Sequence, residues 1–169
     1  MLHPPLLGFA AFSGTGKTTL LVRLIPELVQ RGLKVGVIKH AHHSFDIDQP
    51  GKDSYRLRQA GATPIMVVSS RRRAIVYEYP EQGKVGLFEQ LPFLDASGLD
   101  LILVEGFKHE PIPKIELHRP ALGKPLLFPE DSNIIAVASD VWMACPLPLL
   151  DLNQPQEICN FILHGFLSR

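Results

Sequence analysis

The chain has 169 residues, 17 basic and 17 acidic side chains and a formal net charge of zero. That length suits one domain, or one domain with an arm, and the balanced charge draws no polyanion from a distance, which disfavours nucleic acid as a partner. Cys145 and Cys159 lie too far apart for a C-x-x-C metal or redox motif, no run of about 18 apolar residues suits a membrane span, and the N-terminus lacks a signal-peptide pattern, so a cytoplasmic protein without a membrane partner is expected.

The first apolar run, Leu6 to Phe12, reads as a strand, and Leu20, Leu21, Leu24, Ile25, Leu28 and Val29 repeat with helical spacing. Between them stands Ser13-Gly14-Thr15-Gly16-Lys17-Thr18-Thr19. Strand, tight turn and helix in this order predict a phosphate loop. Ala11 takes the place of the first glycine in G-x-x-x-x-G-K-[ST]. Gly14 and Gly16 let the backbone curl with positive φ and aim successive N–H groups into one anion-sized hollow. The helix N-terminus adds unpaired donors and a positive dipole end. Lys17 is placed to reach the terminal phosphates, and the Thr18 hydroxyl to ligate a bridging Mg²⁺. The expected ligand is a nucleoside triphosphate. Pro26 is expected to bend the following helix and Gly32 to cap it.

Lys34 to Lys39 reads as a second, mostly buried strand, followed by the polar loop His40 to Gly51. At the carboxyl end of a strand, Asp46 and Asp48 could approach the Mg²⁺ shell; equally, they could be capping or solvated loop carboxylates. His40, His42 and His43 raise zinc, yet no cysteine is near and the carboxylates suit hard cations. Lys52 to Ala60 is expected to be a short polar helix and Thr63 to Ser69 a third buried strand. Two β-prone runs, Ala74 to Tyr79 and Lys84 to Phe88, flank the turn Pro80 to Gly83. They predict an inserted hairpin arm at about 71–90 that pairs with the same ribbon of a second copy in a homodimer. Arg71 to Arg73 form either a solvated basic face or a site for phosphate or an acidic patch.

Phe88 to Leu94 reads as a helix. Leu99 to Gly106 reads as a strand that delivers Glu105 at its carboxyl end, the position of the second phosphate-loop carboxylate at the Mg²⁺ shell; Asp100 is expected to cap the strand's start. Lys114 to Leu117 and Asn133 to Asp140 are further strands. Asp140 could accept both N1–H and N2–H of guanine, or could serve as a turn or helix cap before Val141. Leu147 to Leu152 is a last short strand and Gln154 to Leu167 a closing amphipathic helix, with Trp142, Cys145 and Cys159 assigned to packing. The whole pattern predicts an α/β fold of the P-loop NTPase type. It is a single nucleotide-binding domain over 1–169, with a mostly parallel sheet, helices on both faces and the inserted arm.

Four segments, SGTGKTT after an apolar strand, KHAHHSFDIDQPGKDSYRLRQAGA, LDLILVEGFKHEPIPKIEL and IIAVASD, resemble the molybdopterin-guanine dinucleotide biosynthesis protein B family, MobB. The resemblance implies a dimer joined partly by extended β structure and GTP bound with Mg²⁺ and slowly hydrolysed. It also implies an accessory role beside the guanylyltransferase that attaches GMP to molybdopterin. Carried over by position, Gly14, Thr15, Gly16, Lys17, Thr18 and Thr19 would hold phosphates, Glu105 would take the second-motif role, and Asp140 would lie near the base. Two other readings stand beside it: a small-molecule kinase with Arg71 to Arg73 as its lid, and a structural dimer that keeps nucleotide for stability.

Overall fold

In the computed structural model, the structure describes residues 3–41, 45–80, 83 and 85–168. They fall into two compact units, one built from residues 1–40 and 86–169, the other from residues 41–85.

The larger unit is organised by a six-stranded sheet. Its strands are β1 (Leu6–Ala10), β2 (Val35–Lys39), β5 (Leu101–Glu105), β6 (Lys114–His118), β7 (Ile134–Ser139) and β8 (Leu149–Asp151), in the spatial order β2-β5-β1-β6-β7-β8. Every pairing within this sheet is parallel, which explains the continuous aliphatic runs of β1, β5 and β7: a parallel strand covered on both faces has no solvent side to alternate with. The apolar side chains alternate between two clusters. Leu7, Phe9, Leu101 and Leu103 pack with α1 (Lys17–Gln30) and α4 (Pro155–Phe161) through Leu20, Leu24, Leu28 and Ile158. Leu6, Ile102 and Val104 pack on the other side with Ile112 and with Leu87 of the short α3 (Leu87–Gln90). The expected α/β sheet with helices on both faces is therefore present.

Local signals explain the helix ends. Helix α1 runs through Pro26 as one element, and Gly32 at φ 88° closes it. The Gly32 N–H donates to the Val29 carbonyl at 2.9 Å and Leu33 N–H to the Leu28 carbonyl at 3.2 Å, the paired bonds of a Schellman end. Asp100 secures the start of β2, accepting from the Lys34 N–H at 2.8 Å.

Three expectations are corrected. Strand β2 lies at the sheet edge, so its side chains are half-buried or exposed. Val29 is exposed on α1. Trp142, assigned to packing, is 81% exposed, because the chain has left β7 and follows a surface loop.

The smaller unit contains α2 (Asp53–Gln59), β3 (Ile65–Val68) and β4 (Arg73–Val76). Here the sequence reading needs its largest correction. The segment expected as a third buried strand is instead half of an antiparallel hairpin, largely exposed, with Ile65 facing Val76 and Val68 facing Arg73. The hairpin thus spans Ile65 to Val76, turning at residues 69–72, rather than about 71–90; Leu87 to Gln90 are helical. The physical reason is at the turn, where Ser69 Oγ accepts from the N–H groups of Arg71 and Arg72 and so reverses the chain one segment earlier. Lys84 and part of the Pro80–Gly83 turn, like His42 and His43, lie outside the described residues.

Candidate functional site

A parallel sheet delivers the carboxyl ends of all its strands to one edge, and that is where the sequence-predicted residues of the larger unit meet. The loop after β1, Lys39 at the end of β2, Glu105 at the end of β5, Arg119 just past β6 and Asp140 just past β7 all lie there. Register enforces the closest of these approaches, because Glu105 is the pairing partner of both Phe9 and Lys39.

The loop itself has the expected curl. Gly14 and Gly16 stand at φ 82° and 99°, where a Cβ would be strained, and Gly16 is the residue from which α1 starts. Thr15 is buried, and its hydroxyl donates to the Phe12 carbonyl at 2.9 Å, pinning the turn from inside. Ala11 occupies the position of the missing first glycine, and its carbonyl accepts from Lys17 Nζ at 3.2 Å. Burial pulls the Lys17 ammonium below the ordinary lysine range; Glu105 opposes the shift, while Lys108 and Lys39 add to it. Three ammonium groups thus share the neighbourhood of one carboxylate, a local excess of positive charge in a chain that is neutral as a whole.

Glu105 is 8% exposed and has both oxygens engaged. Oε1 accepts from Thr18 Oγ1 at 3.0 Å, and Oε2 lies 3.4 Å from Lys39 Nζ. The two side chains expected to share a Mg²⁺ ion are therefore in direct contact. Hydroxyl and carboxylate oxygens are hard donors that suit Mg²⁺. Among the described residues no three His, Cys, Asp or Glu side chains gather as a metal cage. The donor set fits an ion held mainly by phosphate oxygens and water, with one or two protein oxygens.

Sequence reasoning missed Arg119. Its Nε donates to the Thr15 carbonyl at 2.9 Å and its Nη1 to Asp140 Oδ2 at 2.6 Å, so one guanidinium joins the phosphate loop to the aspartate expected near the base. The available signal was only its place directly after a strand. Asp140 does not cap the turn that follows it; Ser139 Oγ accepts from the Val141 N–H at 3.2 Å instead. Its second oxygen, Oδ1, is buried without a hydrogen-bond partner. Asp140 also lines a cavity of about 280 Å³, together with Trp142, Asp151 and Glu157 among others.

The sequence of the chain matches a known group of proteins. The family model "MobB: Molybdopterin guanine dinucleotide synthesis protein B" matches residues 6–140. The chain belongs to the MobB family. The "Molybdopterin-guanine dinucleotide biosynthesis adapter protein" of Escherichia coli (strain K12) is 51% identical over 160 residues, 94% of this chain and 91% of that relative. The protein of the same name from Haemophilus influenzae is 46% identical over 166 residues, 96% of this chain and 91% of the relative. Among solved structures, a molybdopterin-guanine biosynthesis protein B (mobB) superposes with a TM-score of 0.72 at 24% identity, over 97% of this chain and 99% of that one, which shows the shared MobB fold.

In the smaller unit, Asp48 is drawn into local contacts. Its Oδ1 accepts from Ser54 Oγ at 2.9 Å and from the Gln49 N–H at 3.0 Å, and its Oδ2 lies 3.8 Å from Arg58 Nε. Arg58 also pairs with Asp46 and Glu78 and sits over the Tyr55 ring. The Asp48 N–H bond, with Arg58 beside it, holds the Asp46 carboxyl below the usual range. Arg71 and Arg72 lie in the exposed turn of the hairpin, and Arg73 begins β4. No helix among the described residues is long and apolar enough to cross a membrane.

Proposed function

We propose that the chain is a GTP-binding adapter in the assembly of the molybdopterin guanine dinucleotide cofactor. In this reading it assists the guanylyltransferase that attaches GMP to molybdopterin, and hydrolyses GTP slowly. The observation that carries the reading is the contact of Thr18 with Glu105 at the mouth of the glycine nest, with Lys17 beside it. Backbone N–H groups of Ser13 to Thr19 surround the phosphates, and Lys17 leaves the Ala11 carbonyl to reach the terminal ones. Thr18 and Glu105 hold the Mg²⁺, which neutralises phosphate charge when bound. Asp140 reads the base: the acceptor-rich cavity formed with Asp151 and Glu157 suits a guanine edge, which presents two donors, better than adenine, which presents an acceptor beside its amino group.

Slow turnover follows from how the cations are committed. Arg119 is held by Thr15 and Asp140, and Lys39 by Glu105, so neither is poised to stabilise charge as a bond to the terminal phosphate breaks. The adapter names of the relatives support the adapter part of this reading. Calorimetry with Mg²⁺ tests the assignment: GTP is expected to bind at least tenfold more tightly than ATP, as about 1.4 kcal/mol of base discrimination requires. Equal affinities would remove Asp140 from its role. Omission of the chain from a reconstituted guanylyl transfer is expected to lower the yield of dinucleotide cofactor, and an unchanged yield would defeat the adapter reading.

A further inference from the structure

Arg119 has two bonds of different kinds, and neither is explained by local packing. Nε donates to a backbone carbonyl of the phosphate loop, at Thr15, and Nη1 donates to the carboxylate of Asp140, 21 residues further along the chain. The third nitrogen, Nη2, lies 3.9 Å from where a Cβ on Gly16 would stand, so the guanidinium runs alongside the loop at the foot of α1. Among the described residues Arg119 is the one group that donates to the Asp140 side chain, because the neighbouring turn is closed by Ser139 and Oδ1 has no partner. A partly exposed arginine-aspartate pair contributes little by itself. Here, however, the guanidinium is rigid and planar, so bonds from Nε and Nη1 fix the carboxylate's plane and its distance from the loop together.

We propose that Arg119 is a positioning residue for base selection: it braces Asp140 against the phosphate loop so that the carboxylate meets a purine whose triphosphate is already seated in the nest. The proposal rests on the reading of Asp140 as the guanine acceptor. It adds that the preference belongs to the braced pair rather than to Asp140 alone. Oδ2 is held by Arg119 and keeps a second lone pair for one guanine donor, while Oδ1, buried without a partner, is the acceptor that the other donor, at N1 or the 2-amino group, reaches by uncovering it. Inosine lacks the 2-amino group, so the difference between GTP and ITP reads how well the carboxylate is oriented.

The experiment compares the unaltered chain with Arg119→Lys and Arg119→Met, titrated with GTP, ITP and inorganic tripolyphosphate in the presence of Mg²⁺. Lysine keeps the charge but cannot bond both Thr15 and Asp140 in one rigid plane; methionine keeps most of the stem. Both variants are expected to lose about tenfold in affinity for GTP, to approach the ITP value, and to bind tripolyphosphate as the unaltered chain does. Discrimination of GTP from ITP kept in both variants overturns the role of Arg119 while leaving the guanine reading intact. Equal binding of GTP and ITP by the unaltered chain overturns the guanine reading and the bracing role with it. An equal loss of GTP and tripolyphosphate makes Arg119 a prop of the loop and overturns the proposal.

Discussion

Lys17 shows how a single side chain links fold and ligand. Burial holds its ammonium below the ordinary lysine range, with Lys108 and Lys39 adding to the shift against Glu105. A triphosphate supplies the missing negative charge, so binding favours the protonated form. Affinity is therefore expected to stay level while Lys17 is charged and to weaken as pH rises through its lowered value, earlier than an ordinary lysine would allow. A pH series of GTP titrations checks this, and affinity flat to the ordinary lysine range would contradict it. Lys17→Ala is expected to abolish triphosphate binding with little change in thermal unfolding, because the side chain's one hydrogen bond in the structure, to the Ala11 carbonyl, is part-buried and can be replaced by water. Retained binding would remove the lysine from the site. Single residues differ in how legible they are in the sequence. Gly14, Gly16, Lys17 and Thr18 are legible because their spacing is a backbone requirement, whereas Arg119 has no motif. Its role exists only once β6 and β7 are neighbours and Thr15 has turned its carbonyl outward.

At the scale of elements, the strands that lead into the site are held by polar pins as well as by aliphatic packing. Along β6, Lys114, Glu116 and His118 share one face and are all buried. Lys114 Nζ donates to Asp131 Oδ2 at 2.7 Å, and the Glu116 carboxylate accepts from the N–H groups of Leu127 at 2.7 Å and Phe128 at 2.9 Å. Burial pushes the Glu116 carboxyl up, against those two bonds, whereas Asp131 stays below its usual range because the bonds from Lys114 and Asn133 outweigh its own burial. The proline-rich segment after Arg119 is tied down in this way. A depressed carboxylate contributes stability that is complete above the ordinary aspartate range and is lost as pH falls through the depressed value. Lys114→Met is expected to cost about 1–3 kcal/mol at neutral pH and to flatten this acid-side slope, measured by denaturant unfolding between neutral and acidic pH. An unchanged slope would deny the coupling. Gly106 is a second joint: at φ 100°, a Cβ there would stand 2.9 Å from the His40 carbonyl oxygen. Gly106→Ala is expected to displace Glu105 and weaken the Mg²⁺ dependence of GTP binding more than it weakens binding without metal; equal effects would place the strain elsewhere. The elements bordering these joints were legible because the apolar runs in β1, β5 and β7 and the cap at Gly32 are local codes, whereas Asp100, expected to cap its own strand, accepts from Lys34 at the start of β2. The hairpin was misplaced because Ile65 to Val68 is as aliphatic as a buried parallel strand, and a short apolar run does not state whether its neighbour will be a sheet or solvent.

At the scale of the whole molecule, the exposed hairpin is the feature a lone chain leaves unexplained. Its two strands form their own two-stranded sheet. Met66 faces Ile75 across it and shares a face with Val68, and these side chains are 56%, 40% and 70% exposed. An isolated two-stranded ribbon is marginal in water, and an apolar patch of this kind invites a partner strand or face. A second copy of the same ribbon satisfies both needs with the edges and apolar face already present, which is the basis for expecting a homodimer. Sedimentation of the purified chain is then expected to give twice the chain mass, and the double substitution Met66→Lys with Val68→Lys to give the single mass, because charge on an exposed strand opposes edge pairing. Glycine nest, Lys17, Glu105 and Asp140 all belong to the other compact unit, so Mg²⁺-dependent GTP affinity should survive the change. A single mass for the unaltered chain, or a dimer that persists with both lysines in place, would show that the arm serves some other surface. Loss of nucleotide binding together with the dimer would instead make assembly a condition of the site.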